Sequence, residues 1–242
     1  MKICLTSDLH YGFGKHDNIY KRFFGKVNKN KPDLILVAGD LISAKQKQWK
    51  HIFSALRDTQ SDIPIYFVFG NHDYWEWKFK RDIIWKKNSH SIENVIRTVP
   101  ELAETYGILY LPKHPYISDN LNIHGFDSWY WLDSPPTNDK YHMPSYVGDV
   151  STPIYLRNRA EKQLENIPSK DPNKVNIIVT HFNMGLNNFQ APWHWLNEIQ
   201  KRADICCFGH THAYYNRYRD GIMYMNSGSD YEDPKASYFE VL

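Results

Sequence analysis

The sequence predicts an α/β fold built on a mostly parallel sheet, on three observations. Five short apolar runs recur along the 242 residues, each followed at once by side chains able to hold a metal. Between the first three runs lie stretches that mix apolar residues with Lys and Arg at helical spacing. Strand–helix–strand order of this kind implies right-handed crossovers and parallel neighbours.

The first run, Ile3–Thr6, leads into Ser7-Asp8-Leu9-His10. A helix is expected over Asp17–Asn30, then the second run, Leu34–Ala38, leading into Gly39-Asp40. A second helix over Gln46–Asp58 precedes the third run, Ile65–Phe69, which leads into Gly70-Asn71-His72-Asp73. Asn88–Tyr106 reads as an amphipathic helix, and Ile108–Leu111 and Leu121–Phe126 as strands. Asp133–Thr152 contains Pro135, Pro136 and Pro144 and few apolar residues, which predicts a long loop. A helix over Leu156–Asn166 follows, then the fourth run, Val175–Thr180, ending at His181. The fifth run, Ile205–Phe208, leads into Gly209-His210-Thr211-His212. The tail gives strands at Tyr214–Tyr218, Met223–Asn226 and Ser237–Val241, with a hairpin turn at Asp220-Gly221. All five runs are four to six residues long and apolar on both faces, as in strands of a sheet covered on both sides.

No linker divides the chain, so one domain is expected over residues 1–242, with insertions near 74–106 and 133–152. Tyr74–Ile92 and Asp133–Thr152 are read as lids over a single site. Apolar residues make up 42% and charged residues 23%, enough for a core and too balanced for disorder. A net charge of +2 gives no global attraction to nucleic acid or to an anionic membrane. Cys4, Cys206 and Cys207 lie in apolar runs without metal-site spacing, so they are read as buried reduced thiols in a reducing compartment. Met1–His10 carries no leader-like apolar stretch and no run reaches membrane-spanning length, so a cytoplasmic protein starting near Met1 is expected.

The strand ends hold Asp8, His10, Asp40, Asn71, His72, His181, His210 and His212. If the five strands are neighbours their carboxyl ends converge, and sites in open α/β sheets form there. Carboxylates and imidazoles with one amide suit Zn, Mn, Fe, Co or Ni; the set is too nitrogen-rich for Ca and lacks the thiolates of a structural Zn site. Gly39, Gly70 and Gly209 each stand between strand and candidate ligand, where unusual φ/ψ permits a sharp turn. The Asp8-x-His10 and His210-x-His212 spacings place each pair on one side of an extended segment. Any one of these elements alone means little; five in order do not assemble by chance.

Together, Asp8-x-His10, Gly39-Asp40, Gly70-Asn71-His72-Asp73, His181 and Gly209-His210-x-His212 resemble the calcineurin-like metallophosphoesterases. Asn226-Ser227-Gly228-Ser229 is similar to that family's late Gly-Ser turn. The resemblance implies a four-layer α/β/β/α sandwich, two facing mixed β-sheets flanked by helices, and a centre of two divalent ions such as Mn, Fe or Zn. It implies Asp8, His10, Asp40 and His212 on one ion, and Asp40, Asn71, His181 and His210 on the other, with Asp40 bridging. It also implies His72 as a catalytic donor to the phosphate or leaving group, with Asp73 as its acidic neighbour. The continuation Leu41-Ile42-Ser43-Ala44-Lys45 departs from the protein Ser/Thr phosphatase branch and favours a small phosphodiester or nucleotide-like substrate.

The aromatic groups at Tyr74–Trp77, Trp129–Trp131 and Trp193–Trp195 suit either stacking on a base or packing between helix and sheet. A nuclease is the rival enzyme, but the only dense basic run near a motif, Lys78 to Lys87, is equally a solvated helix face. A non-catalytic protein-interaction scaffold is the rival of another class, and the completeness of the ligand set argues against it.

Overall fold

The computed structural model describes residues 1–12, 17–43, 48–59, 62–75, 92–129, 152–183, 193–231 and 233–241. They form two mixed sheets. In the first, β1 (Lys2–Thr6), β2 (Leu34–Ala38), β3 (Ile65–Val68) and β4 (Ile108–Tyr110) run parallel, and β11 (Ser237–Glu240) pairs antiparallel with β1 at the edge. In the second, β6 (Leu121–Gly125), β7 (Val175–Val179), β8 (Ile205–Cys207) and β10 (Ile222–Ser227) run parallel. Its two edges, β5 (Tyr116–Ile117) and β9 (Tyr214–Arg219), are antiparallel to their neighbours. Helices α1 (Asp17–Lys29), α2 (Trp49–Thr59) and α3 (Ile92–Thr105) connect the strands of the first sheet; α4 (Thr152–Glu165) and α5 (Trp193–Arg202) connect those of the second.

Strand alternation explains why both sheet faces are apolar. Ile3, Leu5, Leu34, Leu36, Tyr66 and Val68 meet Ile123, Ile177, Val179, Cys207 and Met225 between the sheets. The intervening residues, Cys4, Ile35, Val37 and Phe67, belong instead to the core formed with the helices. There Trp49 and Phe53 of α2 meet Phe69 and Phe67 at ring centroids 5.9 Å apart in each case. Trp195 of α5 meets Phe126 edge-on at 5.8 Å. The expected α/β/β/α layering follows directly from strands that are apolar on both sides.

Four expectations differ from what is observed. The five metal-bearing strands are not neighbours in one sheet: β1, β2 and β3 belong to the first, β7 and β8 to the second. Their ends therefore meet across the gap between facing sheets. Residues 92–105 are not an insertion but the crossover helix α3 between the parallel strands β3 and β4, with Ile92, Val95, Val99 and Ala103 buried. Helix α4 starts at Thr152, not Leu156, because a proline at the first helical turn loses no hydrogen bond, so Pro153 opens the helix. Helix α5 was not anticipated; its apolar signal is Trp195, Leu196 and Ile199, all buried. The anticipated lids fall largely at 76–91 and 130–151, outside the described residues. At Asp220-Gly221 the φ values are 50° and 83°, the conformation a two-residue hairpin turn requires.

Candidate metal centre

Strands β1, β2 and β8 hand their site residues over through turns in the left-handed region. Asp8, His10, Asp40, His210 and His212 have φ of 51°, 45°, 53°, 66° and 53°. They are five of the seven non-glycine residues with positive φ among the described residues. An L-residue held there costs about 1–2 kcal/mol, so surrounding bonds must impose it. Asp8 N donates to Gly39 O at 3.0 Å and His10 N to Asp40 O at 2.9 Å, tying the β1 turn to the β2 turn. His72 N donates to Asp40 Oδ1 at 2.8 Å, and His210 N to Asp8 Oδ1 at 2.9 Å. Alternation along an extended segment is thus not what aligns these side chains.

The consequence is clearest for His210 and His212, expected on one side but found in different halves of the cluster. His210 Nδ1 lies 3.2 Å from Asn71 Oδ1. His212 stacks on His10 at 5.2 Å, and its Nε2 is 3.8 Å from Asp8 Oδ1. Of the three glycines, only Gly39 has positive φ, at 81°. Gly70 serves close approach instead, because a Cβ there would collide with the Asp40 carboxylate.

Asp40 stands at the middle. Its Oδ2 is 3.2 Å from His181 Nε2 and 3.8 Å from His10 Nε2. Asn71 Oδ1 lies 3.1 Å from His181 Nε2. Among the described residues, three sets offer ligand atoms within 4.8 Å of one another: Asp8, His10 and His212; His10, Asp40 and His72; Asp8, Asp40 and His181. Burial pushes the Asp8 carboxyl up to about 6, against the neighbouring His181. Burial also works against Asp40, but His181 and His72 outweigh it and hold that carboxyl well below the usual range. Burial drives His10 well below its ordinary value and His210 down to about 3. His181 is the exception: burial opposes its charge, yet Asp40 prevails and raises it to about 9. Its Nδ1 donates to Ala38 O at 2.8 Å.

The donor set fits divalent transition ions. His10 is fully buried, and neither of its ring nitrogens has a hydrogen-bond partner. Such atoms carry a large desolvation cost unless something else coordinates them. Imidazole nitrogens, carboxylates and one amide oxygen, without thiolate, match Mn, Fe or Zn.

Asp73 does not stand with the ligands. Its two carboxylate oxygens accept the amides of Ile42 at 3.1 Å and Gly70 at 2.8 Å, bracing the β2 and β3 turns. Those bonds place Asp73 behind the turns that carry Asp40 and Asn71. His72 stays in the cluster, with its ring stacked on Trp75 at 3.5 Å and edge-on to His10 at 4.4 Å. Tyr74, Trp129 and Trp195 are core residues, each 1% exposed, so packing is the better account of those aromatics. Trp75 is the exception, stacked on His72, while Trp77, Tyr130, Trp131, Trp193 and the run Lys78 to Lys87 lie outside the described side chains. Two residues escaped the sequence reading. The Tyr231 ring stacks on His10 at 4.2 Å, and Asp230 Oδ1 is 3.2 Å from His212 Nδ1, an ion-pair distance off the hydrogen-bond line. Their only sequence signal is that they follow the Gly228-Ser229 turn.

Facing mixed sheets with an Asp/His/Asn cluster at their joint carboxyl ends define a metal-binding α/β/β/α protein. Residues 1–214 match the calcineurin-like phosphoesterase family, and the chain belongs to it. It is 35% identical over 75 residues to an uncharacterized metallophosphoesterase of Campylobacter jejuni, covering 31% of this chain and 20% of that protein. It is 32% identical over 75 residues to a Bos taurus transmembrane protein with metallophosphoesterase domain, covering 31% of this chain and 17% of that one. The chain spans less than half the length of these curated relatives. Among solved structures, phosphopantetheinyl hydrolase of Mycobacterium tuberculosis shares the fold with a TM-score of 0.69 at 15% identity, covering 98% of this chain and 95% of that one. Among the described residues no helix is long and apolar enough to cross a membrane.

Proposed function

We propose that this chain, as one domain, hydrolyses phosphate esters with two divalent ions. Asp8, His10, Asp40 and His212 hold one, and Asp40, Asn71, His181 and His210 hold the other. The observation that carries this is Asp40, whose carboxylate lies within 4 Å of imidazoles in both halves while both nitrogens of buried His10 lack hydrogen bonds. Divalent ions so placed supply Lewis acidity for the phosphoryl group and lower the pKa of water. The protein's own contribution is alignment. The tied turns fix the ligand atoms, and the Ala38 carbonyl fixes the His181 ring so that Nε2 faces the cluster. His72, beside Asp40 but outside both ligand sets, donates to a phosphoryl or leaving-group oxygen.

The substrate class we favour is a small phosphodiester or nucleotide-like ester. Its support is the continuation after Gly39-Asp40 and the absence of a strong net positive charge. A cytoplasmic setting is supported by three buried free thiols. The test is Mn²⁺-loaded protein with bis-p-nitrophenyl phosphate, followed by a panel of phosphomonoesters, cyclic nucleotides, dinucleotides and single-stranded DNA. Turnover is expected on a small diester. Absence of product with every divalent ion, together with no bound metal by elemental analysis, overturns the reading in favour of a binding scaffold. Preference for single-stranded DNA overturns the small-substrate assignment.

A further inference from the structure

Tyr231 belongs to none of the metal-bearing motifs, yet three observations fix it over the cluster. Its ring lies nearly parallel to His10 and His212, at 22° and 20°, with centroids 4.2 Å and 4.9 Å away. Its hydroxyl is 3.4 Å from His72 Nε2. Its backbone N donates to Asp230 Oδ1 at 2.7 Å, the same oxygen that faces His212 Nδ1. The turn that carries it is closed by the paired bonds Asp230 N to Asp233 O at 3.2 Å and Asp233 N to Asp230 O at 3.0 Å. Ser229 Oγ secures the same turn by donating to Lys235 O at 3.0 Å. A phenol held this firmly on metal-site imidazoles has a fixed hydroxyl, and a phenolic O–H donates one hydrogen bond while accepting others.

We infer that Tyr231 is a substrate-binding residue whose hydroxyl, paired with His72, donates a hydrogen bond to a phosphoryl oxygen on the His10–His212 side. The inference rests on the phosphoesterase reading above. The Tyr231 hydroxyl and His72 Nε2 lie 3.4 Å apart, so one phosphoryl oxygen can be reached by both. Two neutral or cationic donors then meet one anionic group within a single hydrogen-bond length of each other. No covalent step is assigned to Tyr231.

The experiment compares wild type with Tyr231→Phe, which keeps the ring and removes only the hydroxyl. Metal content by elemental analysis and melting temperature are expected to be unchanged. Calorimetric titration of the Mn²⁺-loaded proteins with inorganic phosphate is expected to show about tenfold weaker binding in Tyr231→Phe, the loss of one hydrogen bond to a charged group. Equal phosphate affinity in the two proteins overturns the inference. So does loss of metal or a lowered melting temperature in Tyr231→Phe, because the hydroxyl would then be structural. If loaded wild type binds no phosphate and turns over no ester, the phosphoesterase reading falls and takes this one with it. Wild-type binding with an unaffected Tyr231→Phe removes only the role of Tyr231.

Discussion

Asp127 and Asp40 are both carboxylates at strand ends, 3% and 1% exposed, yet their surroundings follow different rules. Asp127 Oδ1 accepts Phe69 N at 2.8 Å. Its Oδ2 accepts the Tyr110 hydroxyl, Arg159 Nη1, Tyr74 OH at 3.4 Å and Gln163 Nε2 at 3.4 Å. Arg159 Nη2 also donates to Tyr110 OH at 2.6 Å. Burial works against the Arg159 charge, but Tyr110 and Asp127 hold its pKa well above the ordinary value. This cluster is closed: a carboxylate, a guanidinium and three polar groups satisfy one another. Around Asp40 the imidazoles of His10, His72, His181 and His210 crowd together, and His10 finds no hydrogen bond at either nitrogen. Equal burial with a closed network marks a brace; equal burial with open nitrogens marks a place for a cation. The two are joined in sequence, because Phe69, which Asp127 holds, immediately precedes Gly70-Asn71-His72.

The strongest way to break the comparison is Asp40→Asn. If Asp40 is shared by two ions, bound metal should fall to background by elemental analysis and hydrolysis should vanish. Full metal retention would refute the shared role. Next comes His72→Ala, which should keep its metal while kcat falls roughly 10²–10⁴-fold, the usual range for a lost proton donor. Unchanged turnover would remove His72 from the chemistry.

The closed cluster should respond differently. Arg159→Leu strands the Asp127 charge in the interior, and breaking a buried pair from one side costs about 3–5 kcal/mol. That is a large fraction of the roughly 5–15 kcal/mol that holds a typical domain. Denaturant unfolding of the metal-free protein should show it, and the double variant Asp127→Leu with Arg159→Leu should lose less than the single losses combined. If Arg159→Leu instead unfolds like wild type but loses metal, the brace and the site are not separate systems.

Much of this was legible in the sequence, and the gaps have physical causes. Strands apolar on both faces gave a sheet covered on both sides, because only such a sheet tolerates Leu34-Ile35-Leu36-Val37, and the family resemblance implied the four layers. The Asp, His and Asn residues at the strand ends that gather at the joint of the two sheets were named from the sequence; Asp230 and Tyr231 beside them were not. Nor was the route by which the strand-end residues gather: left-handed φ at Asp8, His10, Asp40, His210 and His212 is imposed by bonds between turns distant in sequence. No local pattern encodes that. The Asp127–Arg159 brace escaped for the same reason, since its members come from β4, the end of β6, α4 and the turn after β3. Helix α5 was different; Trp195, Leu196 and Ile199 carry a helical apolar face, but so few apolar positions in ten residues are a weak periodic signal.

The mildest test lies where open and closed behaviour meet. His212 faces the cluster through Nε2, and Asp230 lies behind its Nδ1 at 3.2 Å. A carboxylate behind a ligating imidazole fixes the ring and raises its basicity, and removing one typically weakens metal binding roughly 10–100-fold. Asp230 is 61% exposed and its approach is off the hydrogen-bond line, so solvent screening puts the effect near the lower end. Asp230→Asn should therefore bind Mn²⁺ about tenfold more weakly in a competition titration with a chelating dye, with the loss confined to one of two binding steps. Asp230 holds the Tyr231 amide through the same oxygen, so phosphate affinity at saturating metal separates the two roles. If phosphate binding is normal once metal is restored, Asp230 acts through His212 alone. If it stays weak, the Asp230–Tyr231 turn serves substrate as well, and an exposed carboxylate beyond the ligand set belongs to the open cluster after all.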